Sequence, residues 1–213
     1  MSILAGLRIA DDPMAWRALG LDMDAGHGMH LGRVRVEVDP PEGEARGIVS
    51  WTIAGAPDDT VTDVDGLATT HGEPPSLAGL TASHLLGVEQ IDHLVVNTPD
   101  LDRTVAALER KLGLVLRRVR DFGTPERPMR QAFFRMGEVI LEVAGPATPD
   151  PVSAYEPARF WGLALTVLSL AEAIDLLGSD RVGEPRPAVQ RDRLIATVRP
   201  AAGLGVPVAL MSS

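Results

Sequence analysis

A lone histidine and a lone glutamate lie in two apolar strands of this chain, and together they constrain both the fold and the site. The segment VEQIDHLVVN, which begins at Val88, alternates in the manner of a strand and carries His93 among aliphatic residues. The later segment VILEVAGP carries Glu142 in the same way. Because a polar group on a face that buries hydrocarbon is costly without a partner, the two residues predict a shared site. Regular alternation places His93 on one face with Ile91 and Val95.

The elements around these strands are predicted in the same order twice. After a first strand at 91–96, a stripe of aliphatic residues predicts a helix with Thr98 as its cap, and three short strands follow. A strand, a helix and three strands are predicted again from 161 to 211. Gly113 and Gly178 end the two predicted helices. A repeat of this kind marks stacked supersecondary units, of which the N-terminal third is predicted to be a diverged copy.

This pattern resembles the βαβββ module of the vicinal oxygen chelate superfamily, which includes glyoxalases, bleomycin-resistance proteins and extradiol dioxygenases. The resemblance implies an α+β fold in which paired βαβββ modules form a half-open barrel. It implies a diverged N-terminal module at 1–82, a module carrying both polar residues at 88–146, and a second module without ligands at 147–213. A ferredoxin-like α+β sandwich is the alternative, because it uses similar elements in a different order.

In that superfamily each module supplies up to two metal ligands, one from its first strand and one from its last. The resemblance places His93 and Glu142 at these positions, and imidazole and carboxylate suit Zn, Ni, Mn or Fe(II). The partner module departs from the pattern, since alignment places Gly162 at the first-strand position and Ala209 or Leu210 at the last. We therefore expect either no cofactor or a weakly bound divalent metal.

Three interpretations of the two polar residues stay open. They form a relic pair in which His93 and Glu142 hydrogen-bond each other, or Glu142 is a catalytic base whose pKa is raised by burial. Alternatively, a metal binds with a third ligand, for which Gln131 and His30 are the candidates, or with a ligand from a second chain.

A small organic ligand is expected on the concave face of the sheet. Arg120, Phe133 and Trp161 are the predicted ligand-binding residues, because an arginine fork suits carboxylate or phosphate groups and aromatic rings suit a pocket wall. The arginines of the middle strands are nevertheless expected chiefly as a solvated face, paired with nearby acidic residues. Core packing is the more frequent role for the aromatic residues.

Composition narrows the range of partners. The net charge of −9 over 213 residues disfavours nucleic-acid binding, and the absence of cysteine excludes disulfides and thiolate metal sites. No apolar run approaches the roughly eighteen residues that a membrane span needs. The N-terminal segment lacks the basic region of a signal peptide. We expect a cytoplasmic protein that contacts neither nucleic acid nor membrane.

The expected function is that of a glyoxalase-like protein that binds a small organic ligand without a complete metal centre. A metal-dependent lyase, isomerase or dioxygenase that uses His93 and Glu142 is the alternative, and a non-catalytic sequestering or scaffold protein is a third. Because three modules would leave one unpaired, we also expect a homodimer. Its interface should include Trp51, which belongs to an apolar set of alternate residues in the N-terminal third.

Overall fold

Two mixed β-sheets and three α-helices make up the part of the chain that the computed structural model describes, residues 1–74 and 84–213. The N-terminal sheet contains β1 (Ile3–Ala10), β2 (Gly28–Leu31), β3 (Val34–Asp39), β4 (Gly47–Ala54), β5 (Asp63–Val64) and β6 (Leu67–His71), with α1 (Pro13–Ala18) after its first strand. The C-terminal sheet contains β7 (Val88–Asn97), β8 (Arg118–Thr124), β9 (Arg127–Met136), β10 (Val139–Pro146), β11 (Arg159–Val167), β12 (Arg186–Pro187), β13 (Leu194–Thr197) and β14 (Val208–Ser212), with α2 (Leu101–Leu112) after β7 and α3 (Leu170–Leu177) after β11. Among the described residues, no helix is both long and apolar enough to cross a membrane.

The C-terminal sheet consists of two βαβββ modules joined edge to edge. Its strand order is β12-β13-β14-β11-β7-β10-β9-β8. In each module the first and last strands are parallel neighbours, as β7 is with β10 and β11 with β14. The two first strands are antiparallel neighbours, which gives the sheet a two-fold relation about its centre. The eight strands curl into a half-barrel, so the predicted α+β fold of paired modules is confirmed.

Short-range hydrogen bonds determine where α2 begins and ends. Asp100, not Thr98, caps this helix, because the Asp100 carboxylate accepts a hydrogen bond from the backbone N–H of Arg103. The Thr98 hydroxyl is occupied by the hydroxyl of Thr104 at 2.7 Å. At the other end Gly113 adopts a left-handed conformation with φ of 61°, which glycine reaches without steric cost. The predicted cap is therefore wrong by two residues, while the predicted helix end is confirmed.

The N-terminal sheet repeats the same arrangement with shorter elements. Its strand order is β2-β3-β1-β4-β6-β5. β1 is parallel to β3, β4 is parallel to β6, and β1 and β4 are antiparallel at the centre. Residues 1–74 thus contain two truncated copies of the module, each with one strand fewer, and the second copy also has no helix. This differs from the single diverged module expected for 1–82, of which residues 75–82 lie outside the described residues.

One continuous hydrophobic core joins the two sheets. Trp51 of β4 is fully buried in this core, and its ring meets that of Phe160 edge to face with centroids 5.2 Å apart. The Trp51 Nε1–H donates to the hydroxyl of Thr69 over 2.7 Å. A residue enclosed by its own chain cannot form an intermolecular interface, so the prediction that places Trp51 there is wrong. A homodimer through another surface stays a prediction, which light scattering would measure.

Candidate functional site

His93 and Glu142 lie on neighbouring strands at the concave face of the half-barrel. In the parallel register of β7 and β10, His93 is beside Ile140 and Glu142 is beside Val95, so the two polar residues are diagonal neighbours. Both side chains line a cavity of about 640 Å³. The prediction that they share one face is therefore confirmed.

A β-bulge at Asp92 interrupts the first strand of this module. Across from β11, His93 pairs with Ala164 and Ile91 pairs with Leu165, so β7 has one extra residue between two consecutive partners. Beyond the bulge Ile91 turns into the core, where it is fully buried. The prediction that Ile91 shares the face of His93 is wrong for this reason. Bulges are frequent beside functional sites because they redirect side chains.

The bulge brings the Asp92 carboxylate beside the imidazole of His93. His93 donates its Nδ1–H to Asp92 Oδ2 over 2.9 Å, and Arg193 donates to Asp92 Oδ1 over 2.5 Å. Gln190 adds a longer hydrogen bond of 3.3 Å to Asp92 Oδ2. Burial alone would raise the pKa of Asp92, but the hydrogen bonds from His93 and Arg193 outweigh burial and lower that pKa. The ionised carboxylate fixes the tautomer in which Nε2 of a neutral imidazole is the acceptor nitrogen.

The sequence prediction missed Asp92. Consecutive residues of a regular strand point to opposite faces, so an aspartate next to His93 is expected on the far side of the sheet. The available signal was an acidic residue and a histidine placed together between Ile91 and Leu94. A buried carboxylate needs a partner, and Arg193 supplies it from the turn immediately before β13 of the other module.

Glu142 is the second polar group on the cavity wall. Gln131 Nε2 donates to Glu142 Oε1 over 2.5 Å, while the Oε1 atom of Gln131 is buried and has no hydrogen-bond partner in the described part of the chain. Burial raises the pKa of Glu142 against the opposing effects of His93, the Gln131 hydrogen bond and the Arg120 charge. The predicted direction of this pKa shift is confirmed. A raised pKa suits a carboxyl group that takes up and releases a proton during catalysis.

The predicted ligand-binding residues fall into two groups. Phe133 and Trp161 line the cavity, whereas Arg120 is outside its lining and acts on the site through its charge near Glu142. The cavity is lined by four other arginines, namely Arg117, Arg118, Arg135 and Arg186. Within residues 1–74 and 84–213 these four form no salt bridge. The expected pairing of arginines with acidic residues holds for Arg130, which contacts Asp102 and Asp121.

His30 is not part of this site. It lies on β2 of the N-terminal sheet, away from the residues that line the cavity, and burial lowers the pKa of its imidazole. The prediction of His30 as a third ligand is therefore wrong. Gln131, the other candidate, does lie beside Glu142.

Residues 92–196, from the bulge to β13, match the family model of the glyoxalase/bleomycin resistance protein/dioxygenase superfamily. This part of the chain belongs to the vicinal oxygen chelate superfamily. No curated protein matches the sequence.

Solved structures of the same superfamily resemble the chain at low sequence identity. A mutant of 4-hydroxymandelate synthase from Streptomyces coelicolor is 14% identical with a TM-score of 0.66, and the match covers 99% of this chain and 92% of that one. Methylmalonyl-CoA epimerase from Mycobacterium tuberculosis is 19% identical with a TM-score of 0.49, over 64% of this chain and 95% of the epimerase. The first match extends the similarity of fold to the N-terminal sheet.

The central two-fold relation of the vicinal oxygen chelate fold identifies the counterparts of the two polar residues. The pairings of β11 with β7 and β14 repeat those of β7 with β11 and β10. Asp100 and Ser169 cap the helices that follow the two first strands, and the same offset gives Gly162 the place of His93 and Ala164 the place of Val95. Ala209 pairs with Ala164 as Glu142 pairs with Val95, so Ala209 takes the place of Glu142. The alternative alignment, with Leu210 at the last-strand position, is excluded.

The residues present do not fit the divalent metal centre that members of the superfamily often use. A Cβ at Gly162 would lie 2.4 Å from the backbone oxygen of Pro207, so no side chain has room at that position. Ala209 carries no donor atom. In the part of the chain that the structure describes, no group of three or more His, Cys, Asp or Glu residues is placed to hold a metal. One wall of the half-barrel carries His93, Gln131 and Glu142, and among the described residues the opposite wall carries none of the usual metal ligands.

Glu142→Gln is expected to raise the free energy of unfolding at neutral pH. Because the pKa of Glu142 is raised in the folded state, wild-type stability is fully present below the ordinary glutamate pKa of 4.5 and falls as pH rises through the folded value. Glutamine is neutral and avoids this loss. Urea unfolding at about pH 4 and about pH 8 should show a stability difference that opens with rising pH. Glu109→Gln, at an exposed position of α2, is the matched control, and an equal difference at both pH values would contradict the prediction.

Proposed function

We propose that this protein binds a small organic anion with a flat, apolar body in the cavity of the C-terminal half-barrel, without a complete metal centre. Arginines on both rims of this cavity carry the proposal. Arg118 belongs to β8 and Arg186 to β12, which are the two edge strands of the sheet. Both residues line the cavity, so its open side is flanked by positive charge.

The charge at the cavity is opposite to that of the whole chain. The chain has a net charge of −9, yet four arginines line the cavity together with a single carboxyl group, that of Glu142. Burial raises the pKa of that carboxyl, which reduces its negative charge at a given pH. A positive cleft attracts anions and accelerates their association, and guanidinium groups bind carboxylate or phosphate through paired hydrogen bonds.

The walls of the cavity favour an apolar body. Phe133, Trp161 and Ile140 contribute hydrocarbon and aromatic surface. Trp161 is 51% exposed, in contrast to the fully buried Trp16 and Trp51. A volume of about 640 Å³ falls inside the range of roughly 300–1,000 Å³ typical of small-molecule sites. An apolar ring bound against these side chains would be removed from water, and it would also cover the exposed ring of Trp161.

Fluorescence titration with two dyes of similar shape tests the proposal. Anilinonaphthalene sulfonate is an aromatic anion, and phenylnaphthylamine is its neutral relative. We expect the anion to bind and to quench Trp161, and the double variant Arg118→Gln, Arg135→Gln to weaken its binding about tenfold with little change for the neutral dye. Arg110→Gln, on the exposed side of α2, is the control for a lost surface arginine.

Three outcomes bear on the proposal. Failure of the anionic dye to bind the wild type, or equal binding of both dyes, would contradict an anion site. Binding that the arginine variant leaves unchanged would place the dye elsewhere. Because no complete metal centre is proposed, dialysis against a chelator should leave the affinity for the anionic dye unaltered.

A catalytic role is the second candidate, and the hydrogen bond between Asp92 and His93 favours it. That bond leaves His93 Nε2 as an acceptor at the cavity wall, diagonal to Glu142, which suits proton transfer to and from a bound ligand. Sequestration without turnover would need no such orientation. If a bound anion is turned over, His93→Gln should abolish turnover while its affinity changes less than about threefold.

A further inference from the structure

The cavity contains a buried acceptor atom that the chain itself does not satisfy. The Nε2 group of Gln131 is occupied by Glu142, and its Oε1 is buried without a partner among the described residues. A buried acceptor left unpaired is destabilising, and native proteins rarely retain one without a reason. At a cavity wall, a donor group on the ligand can supply the absent hydrogen bond.

The concave side of β9 shows where that donor would lie relative to the anion site. Gln131, Phe133 and Arg135 are alternate residues of this strand, and all three line the cavity. At about 3.4 Å per residue, Phe133 is roughly 7 Å and Arg135 roughly 14 Å from Gln131 along the strand. Arg118 pairs with Phe133 across the ladder to β8. The acceptor of Gln131, the ring of Phe133 and the guanidinium of Arg135 therefore follow one another along β9, and Arg118 lies beside the ring on β8.

We infer that the ligand is a flat organic anion that carries a hydrogen-bond donor, a hydroxyl or amino group, at the end remote from its negative charge, and that Gln131 selects for this donor. The inference rests on the proposed function, because it assumes that the arginines hold the anionic group. The ring stacks near Phe133, the anion reaches Arg118 or Arg135, and the donor reaches Gln131 Oε1.

Selection follows from the environment of the amide oxygen. A site built to accept a hydrogen bond rejects an analogue that lacks the donor, because its own acceptor then remains buried and unpaired. An analogue with an acceptor in the same position is rejected further, since two oxygen atoms would face each other. Gln131 is thereby a specificity-determining residue of the cavity.

Isothermal titration with three naphthoates tests the inference. The first carries a hydroxyl group at the far end of the two-ring body, the second carries hydrogen there, and the third carries a methoxy group. We expect the hydroxynaphthoate to bind about fivefold more tightly than naphthoate, or better, and the methoxynaphthoate to bind more weakly than both. In Gln131→Met the preference for the hydroxyl group should fall to near unity.

Two further variants make the result specific. Gln131→Asn withdraws the amide from the cavity and should also lose the preference, which keeps the test decisive if the methionine variant fails to fold. Gln90→Met changes a glutamine that lies outside this cavity, and the preference should persist in it.

The outcomes separate this inference from the proposed function. If none of the three naphthoates binds, the anion site itself is refuted. If all three bind with equal affinity, or the methoxy compound binds best, anion binding stands and the donor requirement is refuted. If Gln131→Met and Gln131→Asn retain the hydroxyl preference, another group accepts the hydrogen bond and Gln131 is not the selecting residue.

Discussion

Replacing Asp92 by alanine is expected to lower the free energy of unfolding by about 3 kcal/mol or more, because it leaves a largely enclosed guanidinium without its counter-charge. The side chains of Asp92 and Arg193 are only 8% and 21% exposed, and their closest atoms are 2.5 Å apart. The loss of one member of such a pair is far more costly than the loss of both, since the remaining charge stays desolvated.

The position of Arg193 adds to the expected effect. Its Nε–H donates to the backbone oxygen of Ser212 over 2.7 Å, and its Nη2 donates to the Thr166 hydroxyl over 3.2 Å. These bonds hold the start of β13 against the centre of the sheet. The segment just before it, from Arg186 to Gln190, lines the cavity. Loss of Asp92 should therefore disturb the cavity wall as well as the stability.

Urea unfolding of a double-mutant cycle would measure the Asp92–Arg193 interaction. Asp92→Ala and Arg193→Ala, alone and combined, should give a coupling of at least about 1 kcal/mol. The exposed pair of Arg8 and Asp39, with side chains 61% and 45% exposed, is the control. Asp39→Ala should cost less than about 1 kcal/mol. The prediction would be wrong if Asp92→Ala lowered the free energy of unfolding no more than Asp39→Ala does.

The features that the sequence predicted are those that local pattern controls. The 3.6-residue stripe of α2 and its terminating Gly113 were readable because a helix buries one face and glycine reaches a left-handed conformation without steric cost. The shared face of His93 and Glu142 followed from alternation on two strands that the superfamily places side by side. The departure of the partner module was likewise visible in Gly162.

The features that it missed depend on irregularity or on distant contacts. The bulge at Asp92 breaks the alternation on which the assignment of Ile91 relied, and the adjacent aspartate and histidine do not by themselves show that the strand bulges. The partner that stabilises Asp92 is Arg193, about one hundred residues later in the chain. The helix cap was misassigned because threonine and aspartate are both favourable cap residues. Asp100 is the cap in the structure, where the hydroxyl of Thr98 is hydrogen-bonded to that of Thr104.

The N-terminal sheet shows how loss of an element conceals a repeat. Its second copy contains β4, β5 and β6 but no helix. The change from a hydrophobic period of two to one of 3.6 residues, which marks the strand and helix of a βαβββ module, is therefore absent. The strand pairing nevertheless preserves the module, with β4 and β6 parallel as β7 and β10 are. Pairing between strands distant in sequence is not readable from the pattern of one strand. Because this pairing could not be predicted, the sequence suggested an unpaired module and a dimer interface at Trp51.

Arg103→Ala is expected to destabilise the protein by about 3 kcal/mol, because this guanidinium joins three separate segments of the chain. From α2, Arg103 donates to both carboxylate oxygens of Asp65, over 2.7 and 3.2 Å. It also donates to the backbone oxygens of Ala154 and Glu156. The side chains of Arg103 and Asp65 are 31% and 12% exposed. Asp65 lies in the turn between β5 and β6, so the pair ties the N-terminal sheet to the first C-terminal module.

Arg103→Lys separates the charge from the geometry. Lysine keeps the positive charge but cannot form the planar fork that contacts Asp65 and two carbonyl oxygens at once, so most of the loss should remain. Arg110→Ala, at an exposed position in the last turn of the same helix, is the control, because alanine and arginine have similar helix propensities. Full stability of the lysine variant in urea would show that charge alone suffices.

The same variants distinguish stability from ligand binding. Asp65, Ala154 and Glu156 do not line the cavity, whereas Asp92 contacts His93, which does. Under conditions in which Arg103→Ala remains folded, it should bind the anionic dye with wild-type affinity, because the concave wall is unchanged. Asp92→Ala under the same conditions should bind it more weakly, because the segment before Arg193 loses its attachment to the sheet. Equal affinity in the two variants would show that this attachment does not shape the cavity.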